Sequence, residues 1–277
     1  MSTQSLALAG KQNYMDGMKP SPAPDITPSL PPLPPPSRLA VLLDLDGTLL
    51  DLAATPDAVR VPPALPATLA RLTERLGGAF AVVSGRTVGA VADLFPGLAF
   101  AIAGEHGGAI RRTAGAPLER PPLPALRPEW REAAARLAAD HPGILFEGKP
   151  HGFVLHYRQM PQAGPELGRA LTALLDGEAE LFGVFPAAMA WEVRPRGISK
   201  ADAVRSLLGA PPFAGRVPLF IGDDATDEDG IRAARDAGGF GFRVQETFGD
   251  AAGVRAWLAS LAPAQEGSAL ENAERGA

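Results

Sequence analysis

The chain has 277 residues, 46% of them hydrophobic and 21% charged, with a formal net charge of −5; this is an ordinary balance for a soluble globular protein of one large domain or two modest ones. It contains no cysteine, which excludes disulfides and thiolate metal sites, and its four histidines, His106, His141, His151 and His156, leave oxygen-ligated cations such as magnesium or calcium a better fit than zinc. No basic cluster points to nucleic acid, no run of about 18 apolar residues points to a membrane span, and the N-terminus lacks the basic-then-apolar pattern of a signal peptide, so a cytoplasmic protein is expected.

Residues 1–37 read as a disordered tail, because "KPSPAPDITPSLPPLPPPS" is proline-rich and cannot bury a core. The stretch "LAVLLDLDGTLLDL", 39–52, comes next. Its first five residues do not alternate, which predicts a strand covered on both faces, as in a parallel sheet with helices on each side. It ends in Asp44, Asp46 and Gly47, so two acids and a turn point into the crevice at the strand's carboxyl end, where open α/β sheets bind ligands. Further strands are predicted at 79–83, 99–103, 217–221 and 239–244, with helices at 63–76, 87–94, 200–208, 227–236 and 249–261. That alternation predicts a doubly wound parallel sheet of the α/β class.

The middle of the chain breaks the rhythm. A helix is expected at 128–140, opening on Pro128. "ILFEGK" and "FVLHYR", split by "PHG", read as a hairpin. "PELGRALTALLDG" reads as a helix closed by glycine, and "ELFGVF" and "MAWEVRP", split by "PAA", as a second hairpin. This α+β unit, 111–197, is expected to be a cap inserted into a core made of 38–110 and 198–262, with Gly107, Gly108 and Gly197 as possible hinges. Residues 263–277 read as a flexible end.

Four clusters fall at the ends of predicted core strands: "DLDGT" (44–48), "SGR" (84–86), Lys200 opening a helix, and "GDDATDED" (222–229). Each alone has an ordinary reading as a turn, a cap or a solvated loop. Together they bring Asp44, Asp46, Asp223, Asp224 and Asp227 to one crevice, an arrangement that needs a cation. Carboxylates, a divalent cation, a lysine and a hydroxyl describe a phosphate site. An aspartate can attack phosphorus, and a second acid can protonate the leaving oxygen and then activate water. Lys200 and the metal would stabilise charge on the transferring group.

In that order, "DLDGT", "SGR", the lysine and "GDD" resemble the four motifs of the haloacid-dehalogenase-like phosphatases over residues 39–262, and "GDDATDE", together with "GEHG" at 104–107, is similar to the signature of the trehalose-6-phosphate phosphatases. The resemblance implies a core of that fold with a C2-type cap, and hydrolysis of trehalose 6-phosphate through an aspartyl-phosphate. It implies Asp44 as nucleophile, Asp46 as general acid/base, Ser84 as a hydrogen-bond donor to the phosphoryl group, and Lys200 as its positive partner. Mg2+ would be held by Asp44, the Asp46 carbonyl and Asp223, with Asp224 and Asp227 acting directly or through water. One departure is Ala201, where the family pattern leads us to expect glycine. Substrate would be read by Gly85, Arg86, Glu105, His106, Glu147, Lys149, His156, Arg158, Glu192 and Arg194. Carboxylates and bases suit vicinal sugar hydroxyls, and the i, i+2 pairs Glu147/Lys149 and Glu192/Arg194 each share a strand face.

The expected partner is a small sugar phosphate, with neither nucleic acid nor membrane. Three other readings compete: a sucrose-phosphate or mannosyl-phosphoglycerate type of phosphatase, a phosphomutase-like relative, and a non-catalytic sugar-phosphate binder. "GDDATDE" argues against the first two, and the presence of both Asp44 and Asp46 against the third.

Overall fold

The computed structural model describes residues 30–53, 55, 58–187 and 189–263. The sequence-predicted tails therefore lie largely outside the described residues, although Leu30 and Leu33 pack against the core. In chain order the first elements are β1 (Leu39–Leu43), α1 (Leu65–Arg75), β2 (Phe80–Val83), α2 (Val88–Leu94), β3 (Ala101–Gly104) and β4 (Ala109–Arg111). An inserted unit follows: α3 (Pro128–Ala139), β5 (Leu145–Lys149), β6 (Gly152–His156), α4 (Gly164–Leu174), β7 (Phe182–Ala187) and β8 (Ala190–Pro195). The chain then returns through α5 (Lys200–Leu208), β9 (Val217–Gly222), α6 (Asp227–Asp236), β10 (Phe240–Arg243), α7 (Val244–Thr247) and α8 (Ala251–Leu261).

Every residue of β1 is buried, as its unbroken apolar run requires. The first sheet has the order β10-β9-β1-β2-β3-β4. Its pairings are parallel except for β3 with β4. From β1 the chain winds outward to β2 and β3, then crosses to β9 and β10 on the other side. The strand order therefore reverses at β1, which makes its carboxyl end a topological switch point. Side chains cap the flanking helices, with Thr87, Ser199 and Asp250 accepting from backbone N–H groups of α2, α5 and α8. Ala201 leaves the start of α5 intact.

Two short elements have no sequence expectation, the three-residue strand β4 and the four-residue helix α7. Strand β4 follows a turn at Glu105–Gly107 in which Glu105 and His106 both take positive φ, 54° and 56°. Such backbone conformations are uncommon outside glycine and tend to be held in place at functional sites.

The second sheet, β5-β6-β8-β7, is antiparallel throughout. Its register aligns Glu147, Val154 and Glu192 in one row, and His156 and Ala190 in the next. Period-two alternation sends Phe153, Leu155, Phe182 and Val193 to the opposite face, where they pack with Trp130, Leu167 and Leu171. One face of this sheet is thus an apolar core of its own, and the other, polar, faces the first sheet. Residues 111–120, on the cap side by sequence, are fastened to the core. Arg112 donates to the Ser206 carbonyl at 3.1 Å, Ile110 and Glu119 exchange two backbone hydrogen bonds, and Arg120 pairs with Glu105 at 3.1 Å. Gly107 also packs on α5, since a Cβ there would lie 3.1 Å from the Ser199 carbonyl oxygen.

Candidate active site

Leu43 pairs with Ile221, so the residues that follow β1 and β9 emerge side by side. Asp44 and Asp223 meet there, and Asp227 completes a group whose carboxylate oxygens lie within 4.8 Å of one another. The approach depends on Gly47, whose φ is +88° and whose hypothetical Cβ would sit 2.1 Å from an Asp223 oxygen. Lys200, at the start of α5, reaches between the acids. Its ammonium donates to Asp44 Oδ1 at 2.7 Å and to Asp227 Oδ1 at 2.6 Å, all three side chains being buried.

The string "GDDATDE" acts as a unit. Asp227 Oδ2 accepts from the backbone N–H groups of Asp223 and Asp224, at 3.1 Å each. Asp224 Oδ1 accepts from the Thr226 N–H at 2.8 Å and its hydroxyl at 2.7 Å. Asp227 thus shapes the loop from below while Asp223 and Asp224 line the crevice.

Burial pushes the Asp44 carboxyl up to about 7 against the pull of Lys200. Burial, with Asp224 and Asp227 beside it, raises Asp223 to about 6, and burial beside Asp44 raises Asp227 to about 8. Burial alone would lower Lys200, but Asp44, Asp227 and Asp224 outweigh it and hold the ammonium charged. Asp224 stays below the usual carboxylate range: Lys200 and the Thr226 hydrogen bonds overcome its burial. One ammonium therefore does not neutralise this set of acids, and its all-oxygen chemistry fits a hard divalent cation.

Ser84 follows β2, is buried, and accepts from the Arg86 N–H at 3.1 Å. The Arg86 guanidinium makes a two-point fork with Asp46, Nε to Oδ2 at 2.7 Å and Nη2 to Oδ1 at 2.8 Å.

The inserted unit sits on this crevice. Lys149 donates to the Gly85 carbonyl at 2.8 Å and to Glu192 Oε1 at 2.6 Å. His106 Nε2 lies 2.8 Å from Glu192 Oε2; because a carboxylate only accepts, this nitrogen carries the proton. Burial would raise Glu192, but Lys149 and His106 reverse that and hold it anionic. Burial pushes His106 toward the neutral ring. Farther out, His156 Nε2 meets Glu147 Oε2 at 2.8 Å, which lowers Glu147.

Of the substrate residues expected from the motifs, Gly85, Arg86, His106, Glu147, Lys149, His156, Arg158 and Glu192 line the crevice. Glu105 and Arg194 do not. Glu105 is buried against Arg120. Arg194 lies over the Phe185 ring, 3.8 Å from its centroid, and donates to the Ile198 carbonyl, because β8 is already returning to the core at that point. The crevice also takes Leu52, Ala53, Thr55 and Val59 from the segment after β1, and Val154, Ala187, Ala190 and Thr226. The first four carry no motif. Val154 and Ala190 of the second sheet follow from register with Glu192 and His156, and Thr226 lies inside "GDDATDE".

Gly85 packs against the His106 ring, which in turn meets Glu192 of the inserted unit: a Cβ there would fall 2.7 Å from His106 Nε2. Gly85→Ala should displace the imidazole from Glu192 and loosen the inserted unit. A lowered melting temperature, together with loss of ligand affinity, is expected by calorimetry; unchanged values for both would contradict this packing.

A family model described as Trehalose-phosphatase matches residues 42–259. The chain belongs to the trehalose-phosphatase family. Among its relatives, one from Sinorhizobium fredii, named a probable trehalose-phosphate phosphatase, is 41% identical over 208 residues, which are 74% of this chain and 77% of that one. The trehalose-6-phosphate phosphatase of Escherichia coli is 34% identical over 212 residues, 75% and 78% of the two chains. Among solved structures, the C-terminal domain of the Candida albicans trehalose-6-phosphate phosphatase superposes with a TM-score of 0.67 at 20% identity, covering 82% of this chain and 92% of that one. A haloacid dehalogenase-like hydrolase from Bacteroides thetaiotaomicron gives 0.55 at 17% identity, covering 81% and 99%. At these identities the structures establish the fold, a haloacid-dehalogenase-like parallel-sheet core, as expected from the motifs. No helix among the described residues is long and apolar enough to cross a membrane.

Proposed function

We propose that this trehalose-phosphatase family member hydrolyses trehalose 6-phosphate to trehalose and phosphate, with Mg2+ and a covalent intermediate on Asp44. The observation that carries the mechanism is the buried Asp44–Lys200–Asp227 chain at the switch point, roofed by a polar sheet face. Asp44 faces the crevice and is oriented by Lys200. It attacks phosphorus as the bond from phosphorus to the sugar O6 breaks. Asp46 gives its proton to the departing oxygen, then takes one from the water that splits the aspartyl-phosphate. Ser84 donates to a phosphoryl oxygen. Lys200 holds positive charge beside the transferring group.

The acids fit a divalent cation. Asp44, Asp223 and the Asp46 carbonyl would hold Mg2+, with Asp224 and Asp227 direct or through water. Bound there, Mg2+ would neutralise phosphoryl charge. The cap supplies Glu147, Lys149, His156, Arg158 and Glu192 to the sugar. Because residues 111–120 are tied to the core, we place the first hinge beyond Arg120, in 121–127, and the second near Gly197.

Removing metal with a chelator should abolish phosphate release from trehalose 6-phosphate, and added Mg2+ should restore it. Full turnover in excess chelator would contradict the reading. Stability carries a second sign. In metal-free protein Asp44, Asp223 and Asp227 have folded pKa values of about 7, 6 and 8, above the ordinary 3.8. The folded state then binds more protons than the unfolded chain between those limits, so stability falls as pH rises through them. Mg2+ should therefore raise the melting temperature more at pH 8 than at pH 5.5. An equal rise at both would count against these acids as its ligands.

A further inference from the structure

We propose that Arg86 is a positioning residue that changes partners: it holds Asp46 in the substrate-free enzyme and passes to the phosphoryl group of the substrate, which releases Asp46 to act on the leaving oxygen. This rests on the reading of Asp46 as the proton donor. The fork engages both Asp46 oxygens, at 2.7 and 2.8 Å, with two N–H groups of one planar guanidinium. The fork fills the inward lone pair of each oxygen, so a proton there would collide with an N–H, because arginine offers donors only. While the fork holds, only the outward lone pairs of Asp46 are left for a proton or for the sugar O6. The acid/base step and the fork therefore compete for the same carboxylate.

The exchange partner follows from position. Ser84, Arg86 and Asp46 line one crevice, so a phosphoryl group bound at Ser84 is within reach of the long arginine side chain whose guanidinium rests on Asp46. Of the other cations lining the crevice, Lys200 is fixed between two buried carboxylates, Lys149 is fixed by Glu192 and the Gly85 carbonyl, and Arg158 is exposed on the cap. The carboxylate under the fork is more open than those that hold the two lysines: the Asp46 side chain is 30% exposed, against 6% for Asp44 and Glu192 and 1% for Asp227. A guanidinium meets two phosphate oxygens as readily as two carboxylate oxygens, so the exchange keeps two charge-assisted hydrogen bonds on the arginine. Phosphate arrival and release of the acid/base thereby become one event.

The test compares wild type, Arg86→Ala and Arg86→Lys, full length and with Mg2+. It reads the inhibition constant of inorganic phosphate and the steady-state constants for trehalose 6-phosphate and 4-nitrophenyl phosphate, whose leaving group needs little protonation. Partner exchange predicts that Arg86→Ala raises the phosphate inhibition constant by about 10- to 100-fold, the scale of losing charge-assisted hydrogen bonds. It also predicts that kcat/KM falls by a similar factor for both substrates. Arg86→Lys should recover part of the affinity through its single point of charge, and it carries the comparison if Arg86→Ala does not fold. An arginine that only anchors Asp46 would leave phosphate inhibition unchanged and confine the loss to the sugar phosphate; that result, or no change at all, overturns the proposal. So does a phosphate-bound structure in which both fork contacts persist. If wild type hydrolyses neither ester, the functional reading fails by itself, and calorimetric binding of inorganic phosphate to the three proteins still decides whether Arg86 meets it.

Discussion

Asp44→Asn should lower turnover of trehalose 6-phosphate by about 10⁴-fold or more, the scale expected when a covalent nucleophile is lost. The amide keeps the shape of the carboxylate, and Lys200 retains Asp227 at 2.6 Å, so the protein should fold. Its stability at neutral pH should be preserved or raised, because the buried acid that burial pushes up to about 7 is replaced by a neutral group. The loss should be equal for trehalose 6-phosphate and 4-nitrophenyl phosphate, since both are attacked by the same oxygen. Asp46→Asn should behave differently and slow the sugar phosphate more than the aryl ester, whose leaving group departs with little help. A folded Asp44→Asn protein with normal turnover would remove the covalent route.

Glu192→Ala should be the most damaging change outside the crevice floor. Glu192 holds Lys149 at 2.6 Å and His106 at 2.8 Å, all buried, and it is the anion where cap and core meet. Its removal leaves the buried Lys149 ammonium without the carboxylate it touches, with only the Gly85 carbonyl and the field of Glu147, the costly case for a buried pair. Lys149 would either pull in water or let the cap lift. We expect kcat/KM for trehalose 6-phosphate to fall by about 100-fold or more, on the scale of a buried charge pair broken on one side, with a much smaller fall for an ester too short to reach the cap. Glu147→Ala should show the same selectivity with a smaller loss, since its side chain is 36% exposed and its ion pair is with the half-buried His156. The ratio of the two specificity constants separates roles. If Glu192→Ala lowers both substrates equally, the cap is a lid and not a reader of sugar.

Four of the five parallel strands, β1, β2, β3 and β9, were legible because each is a short apolar run bounded by turn residues, a pattern that survives without tertiary information. Strand β4 was not, because Ala109–Arg111 has no run. It exists because Glu105 and His106 turn the chain back and Glu119 bonds to Ile110. The motifs brought the acids, Ser84 and Lys200 to one crevice because a switch point gathers strand ends. Alternation identified which residues of β5 and β8 share a face, but not how far along the strand that face meets substrate. Glu192 lies over the crevice, and Arg194, two residues on, lies on Phe185 instead. The pairing of Arg86 with Asp46 spans 40 residues and leaves no local pattern. The lining residues Leu52, Ala53, Thr55 and Val59 are apolar or small and look like any loop.

We propose that this crevice selects trehalose 6-phosphate through the inserted unit and hydrolyses it on Asp44. The most direct measurement is a competition: equimolar trehalose 6-phosphate, sucrose 6-phosphate and glucose 6-phosphate with wild-type enzyme and Mg2+, the dephosphorylated sugars being followed by chromatography. Trehalose should appear first and be nearly the sole product until its precursor is exhausted. Equal rates of release from all three, or preferential release of sucrose or glucose, would contradict selection of trehalose 6-phosphate by this crevice.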